Sequence, residues 1–285
     1  MADSQVSVGG SLVYAWTLLK THWRSIWAVL ALTALAETVY VAGAYALNNT
    51  LLAGGLAAQL ITQIMLYGAV FRLAFADRHP GDPAFALDHA GLQWRGLEWR
   101  LLGAMALLFV FLLIIALLGM VLVGGVALGV IMTRGGAAPP TTPQAVLAAL
   151  GPDGQAIVGV ILAAVLLTML YFYVRLSLTF AATADTGKIS VLGTWRLTKA
   201  NLWRILAALI LIQLPLTLLE SLVAALGAGD GASGAGGAIQ MSAESAMLSA
   251  LVVGAVFGCV IAPLLAGVLA YYYRHPGGPP PSGTP

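Results

Sequence analysis

LLGAMALLFVFLLIIALLGMVLVGGVALGVIM, residues 101–132, runs for 32 residues without one charged side chain. A helix rises ~1.5 Å per residue, so ~20 apolar residues cross the ~30 Å hydrocarbon core of a bilayer. The surplus length predicts a helix that tilts, or one whose end bends at the far surface beyond Gly124-Gly125. Five more apolar segments reach or approach spanning length: about Ser25 to Leu47, Leu51 to Phe71, Ala156 to Val174, Ile205 to Leu226 and Ala246 to Tyr273. The expected fold is all-α, a polytopic membrane protein with six transmembrane helices.

Composition excludes the main alternative. Only 8% of the residues are charged and 60% are hydrophobic, whereas a soluble domain carries roughly 25% charge. So few charges could not cover the surface of a soluble fold of 285 residues. The single cysteine, Cys259, rules out an internal disulfide framework and reads as a small packing residue. The first span is not a signal peptide: its apolar run is too long, and Glu37 interrupts it.

One unit is written three times. Trp23-Arg24, Trp99-Arg100 and Trp203-Arg204 each open a pair of spans, and each pair closes on aromatics followed by Arg72, Arg175 or Arg274. These nine residues read as interfacial anchors. The pattern predicts three parallel two-helix repeats, over 5–76, 83–182 and 188–275, within one six-span domain over 1–275. The Pro/Gly-rich tail, 276–285, is expected to be disordered, and the breaker-rich outer loops around Pro140 and Gly231 read as flexible linkers without a packed core.

Ahead of each Trp-Arg pair lies a lead-in segment with helical spacing. Val8, Leu12, Trp16, Leu19 and Trp23 form one stripe; Leu87, Ala90, Trp94, Leu97 and Leu101 form the second; Val191, Trp195, Thr198 and Leu202 form the third. With Lys20, Arg95, Arg196 and Lys199 among the polar positions, each reads as a short amphipathic helix lying at the membrane interface. The alternative is that each lead-in simply extends its transmembrane helix.

Basic residues set the orientation. Lys20, Arg24, Arg72, Arg78, Arg95, Arg100, Arg175, Lys188, Arg196, Lys199, Arg204 and Arg274 fall on one side of a six-span topology, and only Arg134 on the other. The positive-inside rule then places both termini in the cytoplasm. All seven tryptophans lie at or near that boundary.

Polar residues at membrane depth are the functional candidates, because an ionisable group there is costly unless paired, hydrated or protonated. Glu37 lies near mid-membrane in the first span, and Glu220 nearer the outer side in the fifth. Gln59 and Gln63 share a face of the second span; Gln213, Thr217 and Glu220 share one of the fifth, around Pro215. These groups either contact an ion or substrate or hydrogen-bond helices together. Gly125/Gly129 and Gly254/Gly258, each four apart, suit close helix packing.

No catalytic residue, metal site or cofactor motif is read. There is no Gly-x-Ser-x-Gly elbow, phosphate loop or His-Glu-x-x-His, and His22, His79, His89 and His275 are scattered. The basic residues are accounted for by topology, so no nucleic-acid partner is expected.

Residues 171–215, YFYVRLSLTFAATADTGKISVLGTWRLTKANLWRILAALILIQLP, resemble a group of bacterial six-span inner-membrane proteins. The group includes the membrane domain fused to some glycerophosphodiester phosphodiesterases and the YciC-like family of unknown function. Arg175, Asp185, Ser190, Trp195, Thr198, Trp203 and Arg204 carry the likeness. The catalytic barrel of the fused relatives is absent, so the resemblance implies a membrane location and no phosphodiesterase activity.

The expectation is a non-enzymatic protein of the bacterial inner membrane, in envelope or membrane-lipid homeostasis, with membrane lipids as partners. One alternative is a transporter or lipid permease using Glu37 and Glu220. Another is an assembly partner of a second membrane protein.

Overall fold

A computed structural model describes residues 7–46, 48–134, 142–189, 191, 193–199, 201–227 and 243–275. The expectations for Pro140, Gly231, Ser190 and the tail 276–285 lie outside these residues. Among the described residues the chain is all helix and turn, and six helices are long and apolar enough to cross a membrane. The protein is a multi-pass membrane protein.

The helices are α1 (Val8–Tyr45), α2 (Asn49–Phe75), α3 (Gly96–Thr133), α4 (Pro143–Leu176), α5 (Thr179–Thr186), α6 (Thr194–Lys199), α7 (Leu202–Gly227), α8 (Ala243–Val256) and α9 (Ala262–Arg274). A π-helical turn, Phe257–Ile261, joins α8 to α9 as one span. The chain divides into two compact units, one of Met1–Ala104 with Ser177–Pro285 and one of Met105–Leu176.

In the first unit α1 is the central strut, packed on α2 and along α8, the π turn and α9. Ser7 caps its start, its hydroxyl accepting from Gly10 N at 2.9 Å. Asn48 caps α2 by accepting from Thr50 N and Leu51 N, both at 3.1 Å. The seam with the sixth span is built from small residues. A Cβ on Gly254 or Gly258 would fall within 3.0 Å of Thr38 or Ala34, and one on Gly267 would meet Ala15 Cβ at 2.8 Å. The packing expected for Gly254 and Gly258 is therefore present.

The π turn has a cause in the sequence. Pro263 has no N–H to donate to the carbonyl of Cys259, and its ring crowds that oxygen. The ladder widens by one residue just ahead of it, so that Ala262 N–H donates to Phe257 O.

In the second unit the later part of α3 packs on α4. Gly119 lies against Val165, and the Phe111 and Phe172 rings meet edge to face at 5.0 Å. Gly151, with φ +60° and ψ 178°, breaks α4 ahead of Pro152, so a short helical piece precedes the long one. α3 passes through Gly124-Gly125 as unbroken helix, so of the two alternatives for its surplus length the bend is not found. The packing expected of Gly125 and Gly129 is not found either: among the described residues neither has a neighbour within 4 Å of an added Cβ.

The lead-in segments differ from one another. The first is no separate interfacial helix: α1 is continuous from Val8 through Trp23 to Tyr45, because no Gly or Pro interrupts 11–42. The second is not an amphipathic helix. Residues 83–85 and 89–91 form two 3₁₀ turns, with His89 (φ 49°) and Ala90 (φ 53°) in left-handed backbone. Local side-chain bonds compete there with the helix: Asp82 Oδ1 accepts from Ala84 N at 2.8 Å, and Gln93 accepts from Asp88 N and donates to Ala86 O. Only the third lead-in holds a separate helix, the six-residue α6.

Candidate functional site

Two groups of polar residues stand out, and both lie within the first compact unit. The first is at membrane depth. Glu37 of α1 is buried and accepts a hydrogen bond from the Gln59 amide of α2. One turn away Thr33, fully buried, donates to Val29 O at 2.8 Å and approaches Thr62 O at 3.5 Å. The structure thus joins two of the six intramembrane candidates directly. Gln63, half-buried, lies one turn from Gln59.

On α7, Gln213 is half-buried, while Thr217 and Glu220 are exposed. Thr217 donates locally to Leu214 O at 2.9 Å, near the ladder bond that Pro215 cannot make. Helix α7 packs on α1, so it carries Glu220 on a helix next to the one that bears Glu37.

The second group closes the end where α1 begins and α9 stops. Arg72, at the end of α2, is buried against Glu98 in the first turn of α3, with 1% and 0% of their side chains exposed. Arg72 Nη1 and Nη2 donate to the two Glu98 oxygens at 2.5 and 3.0 Å, and Nε donates to Ala84 O at 2.9 Å. Glu98 Oε2 also accepts from Arg95 N at 2.7 Å, so the carboxylate caps α3 as well as pairing with Arg72. Gly68, one turn before Arg72, leaves the room: a Cβ there would fall within 3.0 Å of Glu98 Oε1.

Asp185, near the end of α5, gathers three partners. Arg78 Nη1 donates to Oδ2 at 3.2 Å, Tyr273 OH donates to the same oxygen at 3.1 Å, and His79 Nε2 is 3.0 Å from Oδ1. Gly187, in left-handed backbone at φ +65°, ends α5 directly after Thr186. The His79 ring stacks on Phe85 at 4.1 Å. Arg274 completes the closure by bonding Asp77 and Ala74 O. Its hydrogen bond is the main reason that the Asp77 carboxyl is held below the ordinary carboxylate range. Below these pairs Tyr67, Phe71, Phe75, Phe180 and Tyr273 form a chain of ring contacts 5.7–6.1 Å apart.

Between the 3₁₀ turns, the start of α3 and the end of α5 lies a cavity of about 370 Å³, lined by His79, Asp82, Arg95, Arg100 and Asp185 among others. Its charges are mixed in sign. Among the described residues no three His, Cys, Asp or Glu side chains lie close enough together to hold a metal ion.

The nine predicted anchors divide. Trp23, Trp99 and Trp203 are exposed, as are Arg24 and Arg100, while Arg204 is half-buried. Arg72 is a correction: it is a core ion-pair partner and not an interfacial anchor, because Glu98 offers it a bidentate partner out of water. Arg274 is paired and half-buried, and Arg175 is buried with Nε donating to Tyr171 OH at 3.2 Å. Sequence reasoning missed Glu98, Asp77 and His79. Glu98 had a legible signal, an acid at the third position of a helix, but its partner lies 26 residues away in the chain.

Comparison with protein-family models, curated proteins and solved structures finds no match to this chain.

Proposed function

We propose that this chain is a non-enzymatic protein of the bacterial inner membrane, with both termini cytoplasmic, acting in envelope or membrane-lipid homeostasis through direct contact with lipid. The observation that carries this reading is the open face of α1. Trp16, Trp23 and Trp27 stay 51–58% exposed there, with Lys20 and Arg24 beside them. Indoles and basic side chains favour the headgroup layer. Twelve of thirteen basic residues fall on that side of a six-span topology, which supports the orientation. Kinship with the six-span family that residues 171–215 resemble is part of the proposal.

A transporter or lipid permease is the second reading, and the presence of two intramembrane carboxylates, Glu37 and Glu220, on helices that pack together favours it. The bond from Gln59 favours helix pairing instead. The double variant Glu37→Gln, Glu220→Gln separates them, since an amide keeps shape and hydrogen bonding but carries no titratable site. Full complementation of a deletion strain supports the lipid-contact reading. Normal expression with lost function supports transport. A deletion strain whose membrane lipid composition and envelope integrity are both unchanged would contradict the homeostasis role.

A further inference from the structure

Along the open face of α1 runs a groove of about 350 Å³. Its α1 wall is formed by the three exposed indoles with Leu30 and Ala31, and its far wall by Cys259 and Val260 of the π turn. The small-residue seam explains where it opens. Gly258 lets the sixth span touch the α1 backbone at Ala34, and the next two residues of the π turn, Cys259 and Val260, line the groove opposite Trp27. π-helical turns of this kind often mark functional positions.

Two features define what fits. Lys20 is the one charged residue on the lining, it sits one turn inside the end formed by Trp16, and no acid lines the groove. No ion pair to Lys20 occurs among the described residues. From Lys20 to Ala31 is eleven residues, about 16 Å of helix at ~1.5 Å per residue. Half of a ~30 Å hydrocarbon core is about 15 Å. Inward of Lys20 the groove is therefore one leaflet deep and apolar along its length, with the cation near its mouth and the Trp16 indole beyond it.

We infer that this groove is a binding site for one anionic phospholipid, an acyl chain lying against Trp23, Trp27 and the π turn, with the phosphate on Lys20. Arg24, stacked over the Trp23 ring at 5.7 Å, stands beside the mouth and adds positive field there. A zwitterionic lipid would fill the same trough with less attraction at the mouth, so the site selects by headgroup charge. The inference rests on the lipid-contact reading and gives it a ligand class.

The test uses the full-length protein in phosphatidylcholine nanodiscs doped with a small fraction of phosphatidylglycerol brominated on its acyl chains. Bromine quenches indole fluorescence on contact. Lipids that merely surround the protein quench in proportion to their mole fraction, and equally for either headgroup. A site gives several-fold more quenching by brominated phosphatidylglycerol than by brominated phosphatidylcholine at the same low fraction. Lys20→Gln, a change at an exposed position, should abolish that excess, and Ala31→Phe should reduce it by filling the trough. Equal quenching by the two lipids, or an excess that survives Lys20→Gln, overturns the inference. So does a dimer in detergent that Ala31→Phe dissociates, which would make a second copy the occupant. None of these outcomes depends on a cellular phenotype, so the groove fails separately from the homeostasis role.

Discussion

Arg72 and Glu98 face each other across the α2–α3 connection with both guanidinium Nη atoms on both carboxylate oxygens, and neither side chain retains more than 1% exposure. Two charges removed from water are tolerable only when each satisfies the other and the remaining donors have partners. Here the third donor, Nε, goes to Ala84 O, and the carboxylate also takes Arg95 N. One ion pair thus fixes the end of α2, the first 3₁₀ turn and the start of α3.

Removing one partner should therefore be far worse than removing both. Glu98→Gln or Arg72→Met alone leaves a buried charge without its counter-charge and should cost about 3–5 kcal/mol, whereas Arg72→Met with Glu98→Leu should lie within about 1–2 kcal/mol of the parent. Thermal unfolding in detergent reads the difference. Gly68→Ala should resemble the single variants, because its Cβ would displace Glu98 Oε1.

The seam between α1 and the sixth span makes a second expectation. Gly258→Ala and Gly254→Ala force α1 away and should each cost about 1–3 kcal/mol, as overpacking of a tight contact does. Gly129→Ala, with open space around it, should gain about 0.5–1 kcal/mol from helix propensity alone. The same substitution with opposite signs at the two sites is the distinguishing result in a melting experiment.

A pH dependence follows from Asp77. Its carboxyl is held below its ordinary value of 3.8, first by the hydrogen bond from Arg274. A depressed carboxylate contributes stability that is present above the unfolded pKa and is lost as pH falls through the lower folded value. Stability in detergent should therefore drop below about pH 4, and Asp77→Asn should flatten that limb by a small loss of melting temperature near neutral pH, with little difference from the parent in acid. An unchanged acid limb in the variant would remove Asp77 from the account.

How much of this was legible before the structure differs by element. Six spans followed from uninterrupted apolar length, which needs no partner to interpret. The Gly254/Gly258 seam followed from a four-residue step, and Glu37 and Gln59 were both singled out because polar groups at depth need a reason. The first two lead-in segments depart from the expected short helices for a physical cause. A helical stripe reports one-sidedness, but it cannot say whether the helix stops, and nothing between Lys20 and Ile26 stops α1. Residues 87–94 carry the same spacing yet adopt turns, because Gln93 and Asp82 satisfy the backbone locally. The pairs at the polar end were out of reach: Asp185 meets Arg78 and His79 across more than a hundred residues, and no local pattern encodes such a meeting.

Asp185 itself should behave as a clamp. Asp185→Ala removes three polar contacts from one carboxylate and should loosen the 76–95 connection along with the end of α9. Faster amide exchange in both segments, with the α1–α2 hairpin unchanged, is the expected pattern. Tyr273→Phe removes one of the three and should cost about 1 kcal/mol.

Cysteine labelling tests the topology most directly. In a Cys259→Ser background, single cysteines are introduced by Pro140→Cys, Gly231→Cys, Asp82→Cys and Ser282→Cys, and intact cells are treated with a membrane-impermeant maleimide. Six spans with the polar end inside require labelling at 140 and 231, and none at 82 or 282 until the membrane is permeabilised. Labelling at 82 or 282 in intact cells would contradict the account.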